Sequence, residues 1–171
     1  MPDESSGRDP WLRFALGFGA LAIVSELVYY GVALESELFQ HYLRALARIN
    51  GGILAWLTPD VQVAGKTISS PLFSVEIARG CDAYRLCALL SAAVIAFPSS
   101  LRLKLWGILL GLLWLNALNF FRIIGLFFVG GYWHAQFRLS HEVLFPAFLI
   151  AMTVVAWVVW VRWATDELAD A

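Results

Sequence analysis

Charged residues crowd one cysteine in the stretch VEIARGCDAYRLC, residues 75–87: Glu76 and Arg79 precede Cys81, Asp82 and Arg85 follow it, and Gly80 abuts it. A thiol is nucleophilic as the thiolate, a form that neighbouring guanidinium groups and a helix N-terminus both favour. The glycine leaves room for a substrate to approach the sulfur. Such a nucleophile needs a proton carrier, and His141 in SHEVLFPAFLI suits that task because an imidazole takes up and returns a proton near neutrality. Arg122, in the apolar run LNALNFFRIIGLFFVG, is the third residue with chemical potential, since an arginine within a span is costly unless it pairs or works. Asn116, Asn119 and Arg122 recur every third residue, which holds them within about 120° of one helical face. Glu26 lies at a comparable depth in the first apolar run, and if the polar stripe only holds helices together it is the partner expected for Arg122. Glu26, Arg79, Asp82, Arg85, Asn116 and Asn119 therefore form a supporting, substrate-orienting set around Cys81, Arg122 and His141.

Two alternatives stand beside this reading. His134 and His141, seven residues apart, share a face if helical and could join Cys81 as metal ligands, but a fourth ligand and any Cys-x-x-Cys or His-x-x-x-His spacing are missing. No metal or other cofactor is expected. The polar residues could also be a structural network in a non-enzymatic membrane assembly factor. Cys87, lacking the charged neighbours of Cys81, is expected only to pack. A helix through residues 81–87 would separate the two thiols by roughly 9 Å along its axis, too far for a disulfide.

The elements that must position these residues follow from composition. The 171 residues are 60% hydrophobic and 15% charged with a net charge of −1, which is an integral membrane protein's balance and gives no basic footprint for nucleic acid. Trp11–Leu34, Leu103–Gly131 and Val143–Trp163 are long enough to span a bilayer, and Ala83–Pro98 is a shorter fourth candidate that can extend through Cys81 and Ser99. The fold class is thus an all-α polytopic membrane protein of about four transmembrane helices, forming one membrane domain over residues 1–171. Residues 35–80 are an insertion between spans one and two. Within it, ESELFQHYLRALARINGGILAWL places Leu38, Phe39, Tyr42, Leu43, Leu46 and Ile49 on one face, as in a helix lying on the membrane surface. VQVAGKTI and LFSVEIA then read as a β-hairpin with a Gly-Lys turn plus one further strand. Gly31-Val32-Ala33 loosely resembles a signal-cleavage site, but the length of the first run and its Glu26 favour a retained anchor. Arg8, Arg13, Arg102, Lys104 and Arg162 cluster on one side of the spans, so both termini are expected in the cytoplasm of a multi-pass inner-membrane protein, with Cys81 and His141 facing the extracytoplasmic side.

The segments SVEIARGCDAYRLCALLSAAVIAFPSSLRLKLWGILLG, NALNFFRIIGLFFVG and SHEVLFPAFLI, taken in that order, resemble the exosortase/archaeosortase family. The short chain and the VEI…GC lead-in look most like the H-type exosortases, and the likeness covers about residues 72–163. In that family a cysteine after the extracytoplasmic segment, an arginine in an N…FRI span and a histidine opening the last span form the proposed site, matching Cys81, Arg122 and His141. The resemblance implies a membrane-embedded cysteine transpeptidase or endopeptidase. Its partners would be exported proteins whose C-terminal sorting signal combines a short motif, a transmembrane segment and a basic tail, with an acceptor nucleophile that the resemblance leaves unspecified. One departure is visible. Members usually carry a small residue and glycine after the cysteine, where this chain has Asp82-Ala83, and a carboxylate beside the sulfur opposes thiolate formation.

Overall fold

The computed structural model describes residues 10–33 and 35–169. Arg8 and Leu34, used above to orient and delimit the first span, lie outside the described residues. Helix α1 (Pro10–Val28) runs into a π-helical turn (Tyr29–Ala33), and α2 (Glu37–Leu57) follows. Three short strands come next, β1 (Gln62–Ala64), β2 (Thr67–Ser69) and β3 (Ser74–Glu76), and then α3 (Tyr84–Ala96) and α4 (Leu101–Tyr132). A 3₁₀ turn (His134–Gln136), the single turn α5 (Phe137–Leu139) and a π-helical turn (Ser140–Leu144) lead without a gap into α6 (Phe145–Ala169).

Among the described residues, three helical runs are long and apolar enough to cross a membrane: Trp11–Gly31, Leu101–Tyr132 and His134–Glu167. With the small sheet at one end, this is an all-α polytopic membrane protein. The fourth expected span is corrected by the structure. Helix α3 has 13 residues and is about 20 Å long at the helical rise, against a hydrocarbon layer of about 30 Å. It fails to extend through Cys81 because the chain bends at Ala83, whose φ is +52°, and it stops at Phe97 ahead of Pro98, which cannot continue a helix. Exposed Leu16, Ile23 and Leu27 on α1, Leu113 and Phe121 on α4, and Ile150 and Val159 on α6 form an outer apolar surface suited to lipid.

The bundle has two dissimilar ends. At one, the start of α1, the end of α3 and the later part of α6 meet, with Phe14 beside Trp157 and Phe97 edge-on to Trp160. Here Trp160 seats its indole against Gly107 of α4 and donates to the Leu103 carbonyl at 3.1 Å. A side chain at Gly107 would collide with that ring. The other end is capped by α2 and the sheet.

Helix α2 begins at the Ser36 cap, whose hydroxyl accepts from the Phe39 N–H at 3.1 Å. It buries Phe39, Leu43, Leu46, Ala47, Asn50 and Leu54 on the protein. The single apolar face expected from sequence is thereby split: Leu38 and Ile49 stay exposed on a flank that Ile53 and Trp56 continue, available to the membrane surface while the adjoining face packs inward. The strands form an antiparallel sheet in the order β1-β2-β3. A two-residue Gly65-Lys66 turn with φ +64° at the glycine closes the first hairpin, the type II′ pattern that matches strand twist. Phe73, just before β3, sits against Gly130 of α4, where any side chain would displace it. That close approach sets β3 beside the turn that carries Cys81.

Candidate active site

Cys81 is buried, with 8% of its surface exposed, in the apolar cluster that includes Tyr29, Phe39, Ile68, Ile77, Ile123 and Phe127. It does not stand at the helix N-terminus as the sequence suggested. Its N–H closes a tight turn on the Ala78 carbonyl at 3.1 Å, Gly80 adopts φ +86°, and α3 begins only at Tyr84. Asp82 explains the delay. Its Oδ1 accepts from the Tyr84 N–H at 3.1 Å, so its side chain takes the capping role and the chain turns at Ala83 before the helix starts.

The two carbonyls flanking this turn are held from α4. Arg122 Nη1 donates to the Gly80 carbonyl at 2.9 Å, and Asn119 Nδ2 to the Cys81 carbonyl at 2.7 Å. Both side chains are buried. The three-residue spacing on α4 therefore delivers two donors to adjacent peptide groups. Arg122 Nε and Asn119 Oδ1 have no hydrogen-bond partner among the described residues. Asn116, one turn back toward the start of α4, bonds to the Leu112 carbonyl at 2.8 Å and lies 3.8 Å from Cys87 Sγ. It reaches Cys87 rather than Cys81. Both thiols are free.

The expected Glu26–Arg122 pair is not formed. Glu26 instead meets Arg85 at 3.2 Å, and Arg85 also bonds to the Tyr30 hydroxyl and covers its ring. The physical reason is adjacency, because α1 packs along α3 and presents Glu26 to the first turn of α3, while Arg122 faces the Cys81 turn from α4. Arg79 is exposed.

Asp82, 3% exposed, sits among three tyrosines in an arrangement that local sequence does not signal. Tyr29 donates to its Oδ2 at 2.6 Å, Tyr42 to its backbone carbonyl at 3.0 Å, and Tyr84 stacks on Tyr29 with ring centroids 4.6 Å apart. Desolvation of the Tyr42 hydroxyl, aided by the nearby Asp82 carboxylate and Cys87, pushes its pKa up to about 12, so it remains a donor across the physiological range.

Cys81 and His141 line one cavity of about 220 Å³, walled by Phe73–Ile77 on the β3 side and by Ile123, Leu126 and Phe137. His141 is half-buried on the π-helical turn Ser140–Leu144, its ring stacked on Phe137 with centroids 5.7 Å apart. The turn breaks helical register just before α6, as π-bulges often do at functional positions. Arg122 lines an adjacent cavity of about 240 Å³ with Gly80, Asp82, Ala83, Arg85 and Pro146. Gly80 and Asp82 line this second cavity and Cys81 the first, so the turn borders both. His134 lies in the separate 3₁₀ turn with its ring against Phe73. Among the described residues no three His, Cys, Asp or Glu side chains gather closely enough to hold a metal.

Residues 7–158 match the family described as transmembrane exosortase (EpsH). The chain belongs to the transmembrane exosortase family. No curated protein and no solved structure gives a significant match. The match spans α1 through the middle of α6, so in this exosortase it takes in Cys81, Arg122 and His141 together with the sheet. It does not distinguish the H-type subgroup that the lead-in to Cys81 suggested.

Proposed function

We propose that this exosortase is a cysteine transpeptidase or endopeptidase that cleaves C-terminal sorting signals from exported proteins at the membrane surface. The observation that carries this reading is the shared cavity of Cys81 and His141, formed beside a turn whose two carbonyls are fixed by Arg122 and Asn119. The Cys81 thiolate adds to the scissile carbonyl and gives a tetrahedral oxyanion. Collapse forms the thioester and breaks the C–N bond, with His141 supplying the proton that leaves on the amine. An acceptor amine or water then adds to the thioester while His141 takes its proton, and the thiolate is released. Arg122 keeps the turn in shape through Gly80 and has its Nε–H left over for the developing oxyanion or the substrate chain. Asn119 holds the Cys81 peptide, Asp82 caps α3 behind the sulfur, and the Glu26–Arg85 pair ties α1 to that cap. Both termini are assigned to the cytoplasm and the Cys81 cavity to the extracytoplasmic side, from the basic residues Arg13, Arg102, Lys104 and Arg162 at the opposite end.

A second reading, a structural polar network in an assembly factor, draws on the fact that Arg122 and Asn119 both donate to backbone carbonyls. The deciding experiment is capture of a covalent adduct between Cys81 and a co-expressed tagged protein bearing a sorting signal. An adduct lost in Cys81→Ala supports the enzyme. A Cys81→Ala variant that keeps full biological activity sinks it in favour of the assembly factor.

A further inference from the structure

Strand β3 is the last strand of the sheet and, among the described residues, has one neighbour, β2. Its register with β2 pairs Glu76 with Thr67, Val75 with Ile68 and Ser74 with Ser69. The Ile77 N–H donates to the Lys66 carbonyl and the Ser70 N–H to the Phe73 carbonyl, each at 2.9 Å. In an antiparallel ladder, alternate residues bond to the partner strand. Phe73, Val75 and Ile77 therefore turn their peptide groups toward β2, and Ser74 and Glu76 turn theirs away. The free edge offers two N–H and two C=O groups spaced as an extended chain requires. Five consecutive residues, Phe73–Ile77, line the cavity that holds Cys81 and His141. Because successive side chains point to opposite faces, a strand that borders a cavity with every residue in a row presents its edge to it. The Glu76 carboxylate is already engaged by Lys66 at 3.7 Å, which leaves the backbone as the recognising element.

We infer that the free edge of β3 receives the polypeptide to be cut as an added fourth strand, with Ser74 and Glu76 bonding to its backbone and the scissile carbonyl delivered to Cys81. This rests on the cysteine-enzyme reading and adds the binding mode, which is β-augmentation by an extended peptide. An edge strand is normally a hazard to be covered, and a short one opening on a nucleophile is a template with a limited register. Recognition through main-chain groups also tolerates many side chains, leaving sequence selection to the pockets around Phe73, Phe137 and Leu126.

The test uses the full chain in detergent or vesicles and two alkylating probes: a blocked tripeptidyl chloromethyl ketone, and iodoacetamide, which carries no peptide. In each case the Cys81 thiolate displaces halide and forms a thioether, read at Cys81 by mass spectrometry. Glu76→Pro removes an edge N–H that points away from β2, so the sheet keeps its ladder, while Glu76→Ala keeps that N–H. Glu76→Pro should slow the peptidyl probe roughly fivefold relative to Glu76→Ala, the worth of one hydrogen bond, with the two variants alike toward iodoacetamide. A tripeptidyl probe with an ester in place of one amide should lose a similar factor on the wild-type protein, without altering the chain at all. Equal peptidyl rates for Glu76→Ala and Glu76→Pro, together with an undiminished ester probe, overturn the inference. Failure of the enzyme reading looks different: iodoacetamide then labels Cys81 no faster than Cys87 in the wild type.

Discussion

The bundle has two cores built on opposite principles. At the open end Leu90, Val94, Leu103, Leu115, Trp160 and Ala164 pack together, and the Trp160 indole donates to the Leu103 carbonyl. At the capped end Cys81 shares its cluster with Tyr29, Ile68, Ile77 and Ile123. Every side chain in the buried polar or charged set among the described residues, Asn50, Asp82, Asn119, Arg122 and Ser140, belongs to that end. Apolar contacts against small residues are enough to hold helices together in lipid. Burying an arginine and an aspartate is costly unless each is satisfied by hydrogen bonds, so a chain that needed only to fold would have no use for the second arrangement. The open end carries stability and the capped end carries geometry.

Substitutions that separate activity from stability test this division, and the largest effect is expected at the sulfur. Cys81→Ser should abolish processing, by more than about 10³-fold as for other nucleophile losses, with a thermal transition close to wild type. Cys87→Ser, whose neighbour is Asn116, should keep most activity at matched protein levels. Equal loss in both variants, measured by processing of a tagged substrate, would mean that the two thiols matter for packing alone.

Arg122→Lys comes next. Lysine keeps the charge but lacks the planar fork that bonds to the Gly80 carbonyl while presenting further N–H groups. Processing should fall about 10²- to 10³-fold, the usual cost of an oxyanion donor. A folded lysine variant with rates near wild type would reduce Arg122 to a charge that steadies the helices.

The opposite signature is expected at the open end. Gly107→Val drives a branched side chain into the Trp160 ring, and overpacking of this kind costs about 1–3 kcal/mol. Its thermal transition should drop while the activity of the protein that remains folded stays near wild type. A variant with a normal transition and lost processing would contradict the separation of the two ends.

What sequence could and could not disclose divides along the same line. The long spans were legible because each is a continuous apolar run, Arg122 because a charge within such a run is expensive, Cys81 because charged residues crowd it, and His141 because a thiolate needs a proton carrier. Hydropathy also yielded the sheet, through its alternation and the Gly65-Lys66 turn. Depth counting placed Glu26 and Arg122 at one level, but sequence does not fix which way each helix faces, and Arg85 took the glutamate. The Asp82 setting was hidden for a related reason: Tyr29 and Tyr42 lie 53 and 40 residues away in the chain. The bend at Ala83 depends on the Asp82 side chain capping α3, so the expectation of a helix starting at Cys81 failed by three residues.

That bend provides the finest test, because two small terms of opposite sign decide it. Ala83 holds φ +52°, a left-handed conformation that costs a residue with a Cβ about 1–2 kcal/mol and glycine almost nothing. Ala83→Gly removes that strain, but it also frees the unfolded chain, which opposes folding by about 0.4–1 kcal/mol. The position is also the N-cap of α3, where alanine makes no side-chain bond and glycine is preferred over alanine. The strain term exceeds the entropy term, so the substitution should stabilise the protein by about 0.5–1 kcal/mol in a denaturant titration, with processing unchanged or slightly faster. Lower stability in Ala83→Gly would mean that the bend is relaxed with alanine in place, and the Cys81 turn would then owe its shape to Arg122, Asn119 and Asp82 alone.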